Sequence, residues 1–319
     1  SVGAQHMDKD SYLMGTVFRA GRKMKEMSPV TIGRGYTQKY ILNPHREKLQ
    51  KAIENAFRNL SSRKDVIIVE GTGHAGVGSV VDFSNADVAD LLGSKVIIIS
   101  EGGIGKSIDE IMLNKALFDL RGVEILGVIV NKVIPSKYDR VKDILKKGLA
   151  NKGVELLGVI PDEPMLKAPT VDQVRRRMKL QLLCGQQGVG RRILTTIVAA
   201  MEPHNMIQYL RNGTLVLTSG DRVDNILAAV SSHLVSKDRN GSRIAGVILT
   251  GGLIPTPKII DLLKKSRMPV LVTNDDTYTV AAKIDHLICK IQRTDKDKID
   301  EAARLVKKYV DIETILNRA

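Results

Sequence analysis

The feature that most constrains this 319-residue chain is a repeating alternation. Short β-branched apolar runs close on glycine or a polar residue and are followed by stretches with helical apolar spacing. The runs fall at 66–69, 95–99, 125–130 and 155–160. Apolar runs this short, without polar alternation, suit strands buried on both faces, which is the habit of parallel sheets. The helical stretches between them supply the crossovers that parallel strands require. Ser84 or Asn85 is placed to cap a helix through Leu92, ended by Gly93. Ser107 opens a helix to about Arg121 with Ile108, Ile111, Met112 and Ala116 on one face. A third helix over 138–151 carries Val141, Ile144, Leu145 and Leu149. The pattern predicts an α/β fold with a mainly parallel sheet.

Pro164 and Pro169 interrupt this grammar, and a short basic helix over 171–179 follows. A second α/β series then begins, with strands expected at 193–198, 214–217, 244–249 and 270–272. Its helices are expected at 203–211, 223–234, 257–266 and 277–287, and a C-terminal helix runs through Tyr309. We read two domains, 1–180 and 181–319, the second the smaller.

No apolar run approaches the roughly 20 residues of a membrane-spanning helix, so no membrane insertion is expected. Cys184 and Cys289 stand far apart without metal-ligand spacing, which fits a reducing compartment. No secretory signal is visible, so a soluble protein is expected, in the cytoplasm or in an organellar matrix or stroma after loss of a transit segment. The formal net charge of +14 favours anionic ligands, an acidic protein partner or RNA. Aromatic residues make up only 3% and there is no Trp, so a stacking platform for nucleic acid is poorly supplied and that reading is not favoured. A small anionic ligand or nucleotide, and a protein partner or a second copy of the chain, fit better.

Candidate chemistry gathers where the apolar runs end, the place where open α/β sheets bind ligands. Glu70-Gly71-Thr72-Gly73 sets an acid before glycines whose N–H groups can approach phosphate oxygens. Glu101-Gly102-Gly103-Ile104-Gly105-Lys106-Ser107 mimics a phosphate-binding loop, but Ser100 stands where G-x-x-x-x-G-K-[ST] needs its first glycine. Gly103, Gly105 and Lys106 are its candidate phosphate contacts, and Glu101 opposes anions beside them. Asn131 ends the third run and offers both a donor and an acceptor to the edge of a base. Glu70, Ser100 and Asn131 are expected at one sheet edge. In the second series Asp221, Arg222, Thr250, Gly251, Gly252 and Asp275 close three successive runs, and Arg222, Thr250 and Asp275 are expected around one shallow pocket. Helix capping by Asp221 and Asp276 is the competing reading. Gly3, Gln5, His6, Asp8 and Asp10 form a polar segment with too few ligands to make a metal site alone. His74 and His204 have no visible acid or nucleophile partner and are assigned no catalytic role.

Val69-Glu70-Gly71-Thr72-Gly73, the Gly-Gly-Ile-Gly loop, Gly127-Val128-Ile129-Val130-Asn131 and Gly158-Val159-Ile160-Pro161 resemble the dethiobiotin synthetase and cobyrinic acid amidase-type family. Gly220-Asp221-Arg222, Thr250-Gly251-Gly252 and 270–277 resemble a DRTGG domain. The pair is similar to the N-terminal region of long phosphotransacetylases and covers nearly the whole chain. The resemblance implies a P-loop-type fold binding ATP and Mg²⁺, with Glu70 and Asp10 as the metal-associated acids and Asn131 reading the base. It also places Gly71, Thr72 and Gly73 beside the phosphates. Val2-Gly3-Ala4-Gln5 is similar to the segment after the family's second strand, so the first strand, its phosphate loop and the following helix are expected upstream of Ser1. Two functions follow as expectations. One is a nucleotide-binding relative of ATP-dependent carboxylate-activating or amidating enzymes, with the DRTGG domain as a ligand-sensing or docking module. The other is a non-catalytic relative serving as a structural or regulatory subunit of a larger assembly, organellar or RNA-containing in one form.

Overall fold

A computed structural model describes residues 9–18, 24–235, 244–287 and 289–319, and the polar segment around Gly3, Gln5, His6 and Asp8 lies outside them. The chain divides into two compact units, Ser1–Asp162 with Gln292–Ala319, and Glu163–Ile291.

The first unit opens with helices α1 (Lys9–Val17), α2 (Tyr36–Leu42) and α3 (Arg46–Ser61). Leu49 and Ile53, four apart on α3, share a face and pack with Tyr40 against Val81 and Phe83, forming a small core of their own. Helix α4 (Asn85–Leu91) follows, capped by Ser84, whose Oγ accepts from Asp87 N while the Asp87 carboxylate accepts from Ser84 N. Strand β1 (Val96–Glu101), helix α5 (Gly105–Leu120), β2 (Ile125–Val133), α6 (Tyr138–Ala150) and β3 (Leu156–Pro161) then make a parallel sheet in the order β1-β2-β3. Ile98, Val128, Val130 and Val159 from the strands meet Ile111 and Phe118 of α5 and Leu145 and Leu149 of α6 in the main core.

The run Val66-Ile67-Ile68-Val69 corrects the sequence reading. It was expected as a buried strand tipped by Glu70, but it belongs to no sheet among the described residues, and Ile68 is 92% exposed. β-branched composition suits a pleated, paired surface; it does not create one without a neighbouring strand to complete the ladder.

The second unit contains α7 (Pro164–Lys167), α8 (Val171–Met178), β4 (Gln181–Cys184), β5 (Thr195–Val198), α9 (Pro203–Met206), β6 (Thr214–Ser219), α10 (Val223–Val235), β7 (Gly246–Thr250), α11 (Pro257–Ser266), β8 (Val270–Val272) and α12 (Thr277–Asp285). Its sheet runs β4-β8-β7-β6-β5, parallel except for β4, which pairs antiparallel with β8. Side chains alternate across β6: Val216 enters the core under α10, while Leu215 and Leu217 enter the opposite core with α8 and α12. Strand β4 was not anticipated, since its place comes from antiparallel pairing with β8 far along the chain. Gly185 beyond it has φ 81°, and a Cβ there would lie 2.1 Å from Met268 O, so only glycine lets the chain end β4 this close to the approach to β8.

The chain then returns to the first unit through α13 (Lys296–Tyr309) and α14 (Ile312–Arg318). Val310 bridges Gly158, Asp311 N donates to Leu157 O at 2.8 Å, and Arg318 ion-pairs with Glu155. Against the expected ranges 1–180 and 181–319, residues 163–180 pack with the second unit and 292–319 with the first. The α8 helix explains the former: Val171 and Val174 are buried in the second unit's core, and Thr170 bridges Arg192.

The small α2–α3 core carries a pH signature. Tyr40 is buried and its hydroxyl donates to Asp82 Oδ2 at 2.8 Å. Burial first, and the bond to Asp82 second, push its phenol from 10.0 up to about 12. A folded-state pKa above the unfolded one means the contribution is fully present below pH ~10 and is lost as pH rises towards ~12. Urea denaturation is therefore expected to find the wild type losing stability between these values. Tyr40→Phe should be weaker at neutral pH but flatter across that interval.

Candidate functional site

Two glycine loops converge on the C-terminal end of β1. The first, 71–77, is fixed by side chains of the helices beside it. Asn85, the first residue of α4, donates through Nδ2 to Thr72 O at 3.0 Å and His74 O at 2.9 Å. Asn114 of α5 accepts from Ala75 N at 2.6 Å through Oδ1 and donates to Glu110 O at 2.8 Å. His74 Nδ1 accepts from Gly76 N at 3.2 Å. The amides of Gly76 and Val77 are thus used inside the loop and that of Ala75 by Asn114, whereas those of Gly71, Thr72 and Gly73 face no acceptor among the described residues. These three positions are exposed, and they retain the donors that an anion needs.

The second loop, 102–107, is built differently. A Cβ on Gly102 would stand 2.6 Å from Lys132 O, so glycine is needed where the loop crosses β2. Ser107 is buried and its Oγ donates to Glu101 O at 2.5 Å, closing the loop on itself. Lys106 is 82% exposed with Nζ 3.6 Å from Glu110 Oε1. Gly103 and Gly105 lie between these anchors. Register sets Ser100 opposite Val130 and Glu101 opposite Asn131, so this loop and Asn131 share one sheet edge. Asn131 Oδ1 accepts from Lys132 N at 2.8 Å, and Lys132 takes φ 61° to end regular pairing there. Its Nζ donates to Glu101 Oε1 at 2.6 Å. The expected repulsion from Glu101 is therefore offset by a partner that spacing did not reveal.

Gly73–Gly76, the second half of β1 and one face of α5 enclose an open cleft of ≈ 620 Å³. Ile98, Ile99, Ile111, Leu113 and Leu117 are the large apolar residues that line it. Ser100 lines it and is only 8% exposed, and its Oγ has no hydrogen-bond partner among the described residues. Glu70 is exposed on the unpaired run, Asp10 is half-buried in α1, and neither lines the cleft. No group of three or more His, Cys, Asp or Glu among the described residues is arranged to hold a metal ion.

In the second unit β6, β7 and β8 end side by side, with Ser219 opposite Thr250. Arg222 ion-pairs with Asp224 at 2.8 Å, which holds the Asp224 carboxyl down at about 2. Asp221 is exposed next to it. Thr250 Oγ1 lies 2.7 Å from Thr277 Oγ1, and Asp275 pairs with Lys283 at 2.6 Å. Gly251 and Gly252, at φ 76° and 69°, donate to Asp275 O and Thr273 O, both at 2.8 Å. The Thr-Gly-Gly turn is thus a clasp between strand ends. Asp276 caps α12 through Thr279 N. Two buried polar atoms, Thr218 Oγ1 and Asn225 Oδ1, have no hydrogen-bond partner among the described residues. Asn225 also donates to Ala199 O and Met201 O at the end of β5.

Sequence reasoning missed Asn85, Asn114 and Lys132. The signal for Asn114 was present: an amide at helical spacing between Ile111 and Phe118, on a face otherwise apolar.

Comparison with known proteins also divides the chain in two, but between 170 and 173 rather than between 162 and 163. An AAA domain model matches residues 2–170 and a DRTGG domain model matches 173–287. Phosphate acetyltransferase of Nitratidesulfovibrio vulgaris is 28% identical over 281 residues, covering 85% of this chain and 39% of its own length. The enzyme of that name from Synechocystis sp. is 27% identical over 268 residues, covering 82% and 38%. That from Pseudomonas putida is 28% identical over 297 residues, covering 89% and 42%. The chain spans about two fifths of the length of these curated relatives. The CBS and DRTGG domains of the regulatory region of Clostridium perfringens pyrophosphatase, solved with the activator diadenosine tetraphosphate, align over 61% of this chain and 77% of that one. Their identity is 15% and the TM-score 0.29, too weak a likeness to carry an argument.

The Asn85 clamp gives a direct test. Asn85→Ala removes both bonds to the glycine loop and is expected to cost about 1–3 kcal/mol. Hydrogen exchange should quicken over 71–77 while the amides of β2 keep their protection. Unchanged exchange over 71–77 would show that the loop is held by something else.

Proposed function

From the premise that this chain belongs to the AAA domain family, matched over residues 2–170, and carries a DRTGG domain over 173–287, we propose that it is a ligand-responsive regulatory region. In this reading a nucleotide or comparable small anion binds at the C-terminal edge of β1 and β2. The exposed amides of Gly71–Gly73 and the Nζ groups of Lys106 and Lys132 would meet its charge, with Asn131 towards a base. The second unit would act as the ligand-sensing or docking module, and the unsatisfied Thr218 and Asn225 support a bound polar group there. The relatives' name suggests that such a region serves an acetyltransferase, and acetyl transfer by this chain is not part of the proposal.

The observation that carries a binding role over a catalytic one is the engagement of the Gly-Lys-Ser loop. Ser107 Oγ is committed to Glu101 O, and Lys106 points to Glu110. Mg²⁺ is implied by the dethiobiotin synthetase-like resemblance, but the donors present do not fit it. Glu70 sits on an unpaired run, and among the described residues neither it nor Asp10 belongs to a group of three His, Cys, Asp or Glu that could hold a metal ion.

A phosphate cradle short of two or three charge-assisted bonds, each about 1.5–3 kcal/mol, binds weaker by orders of magnitude. Calorimetry of the chain with Mg·ATP is expected to give a dissociation constant on the order of millimolar, weakened about severalfold by Lys106→Ala. Micromolar binding abolished by Lys106→Ala would reinstate 102–107 as a true cradle and overturn the regulatory reading.

A further inference from the structure

The end of β6 in the second unit holds two buried oxygens that the described chain leaves unsatisfied. Thr218, two residues on from Val216, faces α10 with it. Asn225, in the first turn of α10, reaches the end of β5, where its Nδ2 donates to Ala199 O at 2.9 Å and to Met201 O at 3.2 Å. Those two bonds fix the way the amide faces, because the reverse orientation would set Oδ1 against both carbonyls. Asn225 Oδ1 and Thr218 Oγ1 thus lack a hydrogen-bond partner among the described residues, in side chains 0% and 2% exposed. Each such atom carries a desolvation cost, and a native fold retains few of them.

The surroundings disfavour an anion. The first amides of α10 are committed, Arg222 N to Ser219 O at 3.1 Å and Val223 N to Asp221 O at 2.9 Å. Arg222 pairs with Asp224 at 2.8 Å and also feels the charges of Glu202 and Asp221. An ammonium would be buried against two uncharged oxygens, at greater cost than a hydroxyl. Asn225 Oδ1 therefore calls for a neutral donor, and Thr218 Oγ1 can accept a hydrogen bond or return one. The turn 199–201 is bonded to the same Asn225 amide, and its Ala200 and Met201 are exposed. Movement of that turn would admit a ligand to the two oxygens.

We propose that the second unit binds a neutral, hydroxyl-bearing ligand of nucleoside size between the ends of β5 and β6, which donates to Asn225 Oδ1 and hydrogen-bonds Thr218 Oγ1 as the 199–201 turn moves aside. The inference rests on the reading of this unit as a ligand-sensing module and names the group it senses. Relief of two unsatisfied oxygens is what makes the unit responsive, since satisfying a buried polar atom returns more than a contact with an exposed one.

Thermal melting and hydrogen exchange of the 319-residue chain, with adenosine as the probe, test the proposal. Thr218→Val replaces the unsatisfied hydroxyl by a methyl of the same shape. Without adenosine it is expected to raise the melting temperature by about 2–4 °C, and it should weaken adenosine binding about tenfold. Thr218→Ser keeps the hydroxyl and should keep the binding. Saturating adenosine is expected to change exchange at 199–201 about threefold or more and to leave 246–250 as it was. Equal binding of 2′,3′-dideoxyadenosine, which lacks the sugar hydroxyls, overturns the hydroxyl assignment. A lowered melting temperature for Thr218→Val, with no response to adenosine, would mean that an internal water holds both oxygens, and overturns the site. A response to inorganic phosphate that Thr218→Val leaves intact overturns this ligand class while the sensing module stands. No change of exchange in the second unit with adenosine, phosphate or ATP overturns both.

Discussion

Parallel pairing of β1 with β2 is the constraint on which the first unit's arrangement depends. A parallel strand gains its place only through the slanted bonds it shares with a neighbour, and the register it adopts fixes what stands at the sheet's end. Here the register that sets Ser100 beside Val130 also sets Glu101 beside Asn131. Everything chemical at that edge follows. Gly102 must lack a side chain because its loop crosses the backbone at Lys132, and Lys132 must turn to φ 61° because regular pairing stops there. That turn presents its ammonium to Glu101. One ladder thus specifies the conformation of two loops and the ion pair between them.

The same constraint separates what was legible in the sequence from what was not. The runs at 95–99, 125–130 and 155–160 read correctly as strands because each has a neighbour. The run at 66–69 has the same composition but pairs with no strand among the described residues, and most of it stays exposed. Composition records what a segment tolerates, and pairing is a property of the rest of the chain. Ser84 was readable as a cap because the interaction is local, complete within four residues. Asn85 and Asn114 act on a loop 11 to 39 residues away in sequence. Such contacts leave at most a polar residue on an apolar helix face as their trace. β4 was invisible for a related reason: its role comes from antiparallel pairing with β8, far along the chain.

Glycine carries different meanings in the two units, although the motifs look alike. In the Thr-Gly-Gly turn the positive-φ glycines direct their amides to the carbonyls of Thr273 and Asp275, so the backbone donors are consumed in tying β7 to the end of β8. Around Gly71–Gly73 the side chain of Asn85 takes the loop's carbonyls and leaves its first amides unclaimed. A glycine-rich strand end therefore signals close backbone approach, and only the fate of the N–H groups separates a clasp from an anion site.

This distinction bears on how an anion would engage the first unit. Glu101 beside a phosphate would be repulsive if it were bare, but its partner Lys132 cancels the charge at contact distance. Both side chains are substantially exposed, and exposed pairs of this kind contribute about 0–1 kcal/mol. Lys132 is therefore held in place at little cost to release. An arriving anion can share the Lys132 ammonium with Glu101, which stays neutralised while the ammonium's remaining donors turn to the ligand. The Lys106–Glu110 pair, longer at 3.6 Å and on a helix surface, is weaker still. The edge rests in a neutral state with two cations within reach of release. In the regulatory reading proposed above, such an edge suits a ligand that comes and goes better than the rigid, prearranged charge that stabilises a transition state.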